Sequence, residues 1–272
     1  VLREFADRLT YLDNLLKRKE EVQAAITAQE KWNDELAVAL DAAMTMTEVE
    51  DIYRPYKQKK KTRASVAIER GLEPLADVIM AQEEKACDLT ALAAQYVDEE
   101  KGVPTPADAI AGAKDIIAER ISDDADLRKT LRELLNAEGE IVVKLTAAED
   151  SPKRAVYEMY ADFKEKVKAI PSHRILAVNR GEKEECLKVA LSVDTELALA
   201  KIAAAFKKDS AFNNVMDEAI ADSYERLIFP SVEREVRNEL TDKADEQAIK
   251  MFELNLKPLL MQPPLKGKII LG

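Results

Sequence analysis

Ser231-Val232-Glu233-Arg234-Glu235-Val236-Arg237-Asn238-Glu239-Leu240 opens the longest periodic stretch of this chain. From it Val232, Val236, Leu240, Ala244, Ala248, Phe252, Leu256 and Leu260 recur at every fourth position. An α-helix completes a turn in ~3.6 residues, so a stripe spaced by four drifts about 40° at each step and winds most of the way round. The spacing predicts a helix from about Ser231 to Met261, roughly 46 Å long at ~1.5 Å per residue. Such a helix meets different neighbours along its length, as a central spine. Glu233/Arg237, Glu239/Lys243 and Glu246/Lys250 add i,i+4 ion pairs on its exposed turns.

Outward from that stretch the signals stay helical. Leu2, Phe5, Leu9, Leu12 and Leu16 follow alternating three- and four-residue spacing, continued by Val22 and Ile26, and predict a helix from Val1 to about Gln29. Asn33 or Asp34 caps a second. Thr47-Glu48-Val49-Glu50 has the form of a capping box for a short helix that Arg54-Pro55 ends. Gly71 separates two short helices, 64–70 and 74–82, and Asp88 caps another. Thr105-Pro106 starts a helix reaching about Ile121, and Asp123 or Asp124 opens the next.

Two β-rich runs interrupt the pattern. Ile141–Leu145 and Leu187–Val193 are expected to pair as a small sheet backed by helix. Between them residues 153–168 read as helix, and Ser172 caps a helix that Gly181 ends. Glu196–Lys208 and Phe212–Ile228 return to helix, broken by Pro230. The expected fold is mainly α, a multi-helix array around a long C-terminal central helix, with a small β element. Both ends read as cut: the first helix starts in mid-pattern, and after Gln262-Pro263-Pro264 the run Ile269-Ile270-Leu271-Gly272 reads as an opening strand.

Composition narrows the function classes. The 272 residues carry a formal charge of −11, 47% are apolar and 34% charged, as in a globular protein. Only 7 are Gly, and neither G-x-G-x-x-G nor G-x-x-x-x-G-K-[ST] occurs, which argues against a phosphate-cradling loop. No apolar run approaches the ~20 residues that span a bilayer, so no membrane partner is expected. Cys87 and Cys186 stand alone without a CxxC, which removes zinc and disulfide frameworks and fits a reducing cytoplasm. His173, the single histidine, has no sequence-visible acid or nucleophile to work with and reads as helix-start packing. No catalytic residue, cofactor or metal ligand is expected, and the chain does not read as an enzyme.

One segment reverses the charge. Arg54-Pro55-Tyr56-Lys57-Gln58-Lys59-Lys60-Lys61-Thr62-Arg63 holds six cations and no acid. Lysines and arginines free of local acids neutralise phosphates, and Tyr53 and Tyr56 are placed to stack on bases. The competing reading is a solvated linker between helices. Lys57, Lys59, Lys60, Lys61 and Arg63 are the candidate nucleic-acid contacts.

Several stretches together resemble one family. Glu50-Asp51-Ile52-Tyr53-Arg54-Pro55-Tyr56-Lys57, then Lys61-Thr62-Arg63-Ala64 and Gly71-Leu72-Glu73-Pro74-Leu75-Ala76, are similar to the N-terminal region of the bacterial Tex transcription accessory proteins. Ile170-Pro171-Ser172-His173-Arg174 with Ala177-Val178-Asn179-Arg180-Gly181-Glu182, and Pro230–Thr241, resemble its middle region. Gln262-Pro263-Pro264-Leu265-Lys266-Gly267 resembles the junction before its RNase H-like domain. The resemblance implies a helical scaffold from an RNA-binding transcription accessory protein. It implies a 1–138 N-terminal helical region with a basic linker at 54–63, a 139–264 central region with two short strands, and a 265–272 stub of the next domain. Nucleic acid would then be met mostly through domains outside this chain, with the transcription machinery as a further partner. The alternative is a protein-interaction adaptor whose acidic surface meets partners.

Overall fold

The computed structural model describes residues 2–57, 61–83 and 87–262. Lys59, Lys60, the Pro263-Pro264 stop and the strand expected at 269–272 lie outside the described residues. In chain order the elements are α1 (Leu2–Thr27), α2 (Asp34–Ala42), α3 (Met46–Tyr53), α4 (Arg63–Glu69), α5 (Glu73–Ala81), α6 (Leu89–Ala94), α7 (Pro106–Ser122) and α8 (Ala125–Glu138). Then come β1 (Glu140–Leu145), α9 (Arg154–Tyr157), β2 (Asp162–Lys166), α10 (Ser172–Lys183), β3 (Leu187–Ser192), α11 (Thr195–Phe206), α12 (Asn213–Asp222) and α13 (Phe229–Leu260). The fold is mainly α with one small sheet, as the sequence leads one to expect.

Two compact units make up the chain, Val1–Glu133 with Thr195–Val232, and Leu134–Asp194 with Glu233–Gly272. In the first, α1, α2 and α3 bury Leu15, Val22, Ile26, Leu40 and Val49 together. Asn33 caps α2, its side-chain oxygen accepting the Leu36 N–H at 2.8 Å. The capping box of α3 lies two residues earlier than expected. Thr45 accepts the Glu48 N–H at 3.2 Å, and the Glu48 carboxylate accepts the N–H groups of Met44 and Thr45 at 2.7 and 3.1 Å. Both T-x-x-E spellings occur, but Glu50 is taken by Arg18 of α1 at 2.7 Å, so the earlier pair does the capping.

α7 is the hub of this unit. It touches α4, α5, α6 and α12, and buries Ala109, Ala113, Ile116, Ile117 and Ile121. Small residues on one side let neighbouring helices approach, and at Gly112 a Cβ would collide with Leu72. Thr105 caps α7, and Asp124, the second of the two candidates, caps α8 by accepting the Leu127 N–H at 2.7 Å. Gln82 adopts a left-handed conformation after α5, and its buried amide donates to the Phe206 carbonyl at 2.7 Å and accepts from the Lys208 N–H at 2.8 Å. That clasp joins the 195–232 stretch to the earlier helices.

Pro230 does not break the chain into separate helices. Residues Ser223–Ile228 form a π-helix, and the Phe229 N–H donates to the Tyr224 carbonyl five residues back. The wider turn accommodates a ring that would collide with the carbonyl four residues before it in a regular α-helix. The long helix exists, but its stripe is buried only in its first half. Val232, Val236 and Ala244 are fully buried, whereas Phe252 and Leu260 are 67% and 74% exposed.

In the second unit the strand order is β2-β1-β3, all antiparallel. β1 and β3 are the two expected strands. β2 falls inside the stretch read as helix, because Asp162-Phe163-Lys164-Glu165-Lys166 alternates on too few residues to separate from helical spacing. Gly181 lies inside α10 and does not end it. It is buried, and a Cβ there would stand 2.7 Å from Leu187 Cγ and 3.0 Å from Tyr157. No side chain caps α10: Pro171 precedes it, and the Ser172 hydroxyl bonds Gln247 at 2.5 Å instead. The outer edge of β3 is covered by α13, where Glu233 accepts the Leu191 N–H at 2.7 Å and Arg237 donates to the Val189 carbonyl at 3.4 Å. Covered edges do not recruit a foreign strand.

Candidate nucleic-acid interface

The basic segment begins where α3 ends, and its first residues are anchored. Asp51, buried on α3, accepts from Arg128 Nε and from Arg132, each at 2.7 Å, and Arg128 has no exposed surface. Two guanidiniums on one carboxylate hold the last turn of α3 against α8. The 3₁₀ turn Arg54–Tyr56 follows directly. Arg54 lies 3.5 Å from Asp123, and Ser231 Oγ accepts from Arg54 at 3.5 Å and Arg128 at 3.1 Å. Arg54 is therefore a tether, not an exposed contact.

The tyrosines are also committed. Tyr53 and Tyr56 pack against the α1–α3 core, the Arg18 guanidinium lies 5.5 Å from the Tyr53 ring, and Gln29 donates to the Tyr56 carbonyl at 2.9 Å. Both rings are half-buried, packed in part against that core.

The lysines differ. Lys57 Nζ is 4.0 Å from Glu50 and its side chain is 61% exposed; Lys61 Nζ is 3.7 Å from Glu69 and 71% exposed. Such pairs contribute little and are easily exchanged for a phosphate. At the far end Thr62 caps α4 with a reciprocal bond from Ser65, so the segment is fastened on both sides. Arg63 is exposed on the first turn of α4 and its charge acts on Asp115 and Asp222. Burial pushes the Asp115 carboxyl above its usual range, opposed by Arg226 and Arg63. The hydrogen bond from Arg226 holds Asp222 below it. Of the five candidates, the structure thus places Lys57, Lys61 and Arg63 at the surface around the segment, with Arg63 partly engaged by acids.

Sequence reasoning missed the Asp51, Arg128 and Arg132 cluster. The i,i+4 arginines on α8 were visible, but nothing in the order of residues names a partner 77 positions away. A cleft of about 480 Å³ opens beside it, lined by Leu36, Ile52, Tyr56, Asp123, Asp126 and Lys129 among others. Four of the five carboxylates lining it are tied to arginines or helix caps, Asp51 to Arg128, Asp123 to Arg54, and Glu48 and Asp124 to backbone N–H groups, while Asp126 is exposed. His173 is exposed at the start of α10, Cys186 is buried and Cys87 half-buried. Among the described residues no group of three His, Cys, Asp or Glu is arranged to hold a metal ion.

Residues 84–252 match the Tex central region-like family. The chain belongs to the Tex family. Over its whole length it is 45% identical to the uncharacterized protein YdcI of Bacillus subtilis and 37% identical to the transcriptional accessory protein Tex of Neisseria gonorrhoeae. It is 28% identical to S1 RNA-binding domain-containing protein 1 of Homo sapiens. The chain spans 38%, 36% and 28% of those three proteins. In this Tex segment no described helix is long and apolar enough to cross a membrane.

Proposed function

We propose that this Tex segment is a non-catalytic helical scaffold that positions nucleic-acid-binding domains of a transcription accessory protein in the cytoplasm. Lys57, Lys59, Lys60, Lys61 and Arg63 then give auxiliary phosphate contacts. One observation carries the second part: the basic segment is pinned at both ends while Lys57 and Lys61 hold their ammonium groups at the surface. Anchored flanking residues lose little conformational entropy on meeting a phosphate backbone. The relatives' names support the setting, one a transcriptional accessory protein and another an S1 RNA-binding domain-containing protein.

Fluorescence anisotropy with single- and double-stranded RNA and DNA tests this. Changing Lys57, Lys59, Lys60 and Lys61 to Glu is expected to weaken binding at least tenfold at low salt and to flatten its salt dependence. Unaltered affinity and slope would make the segment a linker.

A second reading, a protein-interaction adaptor, rests on the exposed apolar half of α13 instead of the acidic surface: Phe252, Leu254 and Leu260 are 67%, 61% and 74% exposed. Association with the transcription machinery that survives nuclease digestion and is lost on Phe252→Asp would favour it.

A further inference from the structure

We infer that the solvent face of the three-stranded sheet is a second phosphate-binding surface, which takes the backbone of a nucleic acid without reading its bases. Side chains alternate along each strand. Ile141, Val143, Leu187, Val189 and Leu191 are buried on one face, beside α10, while the opposite face carries Lys144 of β1, Lys164 and Lys166 of β2 and Lys188 of β3, all exposed. In a chain of net charge −11, four lysines converge on a sheet of three short strands.

The register explains why they act together. Lys144 stands directly opposite Lys188 on one side and Asp162 on the other, Lys164 opposite Val142, and Lys166 opposite Glu140. Strands ~4.8 Å apart and alternate residues ~6.8 Å apart place neighbouring lysines within a Debye length of about 8 Å at physiological salt. Two acids share the face. Glu140 lies 3.6 Å from Lys164 and 3.4 Å from Lys166, and Asp162 flanks Lys144. Among the described residues Lys144 and Lys188 enter no ion pair. Four cations against two anions leave the face positive.

The Lys144–Lys188 pairing works against the fold, because like charges directly across a ladder repel. A residue choice that disfavours the sheet and leaves ammonium groups in water is what a phosphate surface requires. The centre of the face is Val142 and Ala190, both half-buried, with no aromatic ring among these positions. Without a stacking platform, recognition rests on charge, so single strands and duplexes are both taken, with strong salt dependence. This surface is built from residues of the second unit alone and shares with the reading above only the class of ligand.

The test compares two variants of the sheet face with the Lys57 to Lys61 variant, all in the whole chain, by anisotropy on a labelled 20-mer RNA and a DNA duplex across a salt series. Lys144→Gln, Lys164→Gln and Lys188→Gln together are expected to weaken binding at least tenfold at low salt. They should lower the log–log salt slope by about 2–3 on the duplex, near 0.9 per phosphate contact, and by somewhat less on the single strand. Lys188→Glu alone gives Lys144 an opposite charge across the ladder, so it should keep or raise the Tm while weakening binding. Weakened binding with an intact Tm is a combination that a purely structural role would not produce. Retained affinity and slope in the triple variant overturn the inference, and if the Lys57 to Lys61 variant alone loses binding, the earlier reading stands without it. Poly-glutamate competing as well as RNA would reassign the face to acidic protein and overturn it too.

Discussion

Asp51 and Arg128 meet at 2.7 Å with the guanidinium wholly withdrawn from water, and Arg132 closes on the other carboxylate oxygen at the same distance. Removing one member of a buried ionic cluster leaves the others charged in a poorly solvating interior, which costs about 3–5 kcal/mol. Asp51→Ala is therefore expected to lower the urea midpoint sharply, by far more than Glu21→Ala, which removes an exposed partner of Arg18 on α1. Equal effects would place Asp51 among ordinary surface pairs.

The two halves of α13 should respond unequally to truncation. Val236 has no exposed surface, so Val236→Ala removes buried methyls and leaves a cavity, at about 2 kcal/mol. Phe252 is 67% exposed, and Phe252→Ala should change stability by less than about 0.5 kcal/mol despite deleting a larger group. Chemical denaturation of the two variants decides it.

Gly181→Ala should destabilise although it sits within a helix, where alanine is ordinarily favoured by about 1 kcal/mol. The added Cβ meets Leu187 Cγ at 2.7 Å and Tyr157 at 3.0 Å, both on buried side chains. Overpacking of this kind costs about 1–3 kcal/mol, and a lowered Tm is the expected reading.

Acid stability separates two kinds of carboxylate. The Met44 N–H, ahead of the other contacts at the Thr45 cap, holds Glu48 below the usual carboxylate range, and Arg226 does the same for Asp222. A lowered folded-state pKa gives stability that is complete above the ordinary range and is lost as pH falls below that range through the lowered folded-state value. Asp115 is pushed up by burial, so its ionisation works against folding at neutral pH and is relieved on acidification. Glu48→Gln should lower the Tm at pH 7 with the deficit shrinking as pH falls below the carboxylate range. Asp115→Asn should keep or raise the Tm at pH 7. Thermal unfolding across pH 3–7 checks both, and a deficit for Glu48→Gln that grows on acidification would contradict the assignment.

Ser223 opens the π-helix with its hydroxyl buried and without a hydrogen-bond partner among the described residues. Burying such a group without a partner is unfavourable, so Ser223→Ala should be neutral or stabilising by about 1 kcal/mol in a denaturation experiment. A marked loss would mean that the hydroxyl has a partner in solution.

By itself the sequence determined the helical class, most helix starts and the two strands β1 and β3. These depend on interactions within a few residues: Thr105 before Pro106, Asn33 before α2, Gly71 at φ +84, and the alternation of β1 and β3. It also located the basic segment, since charge is a property of composition. Tertiary structure decided what local pattern leaves degenerate. Glu50 was taken by Arg18, which moved the capping box to Thr45; Leu187 and Tyr157 enclosed Gly181 inside α10; and the π-helix carried the chain past Pro230. The Asp51 cluster and the lysine face of the sheet could not be read in advance, because their members come from separate elements and only strand register or helix packing brings them together. Periodicity records which side of a helix is apolar; whether that side meets protein or water depends on its neighbours, so the stripe of α13 is buried at Val236 and exposed at Leu260.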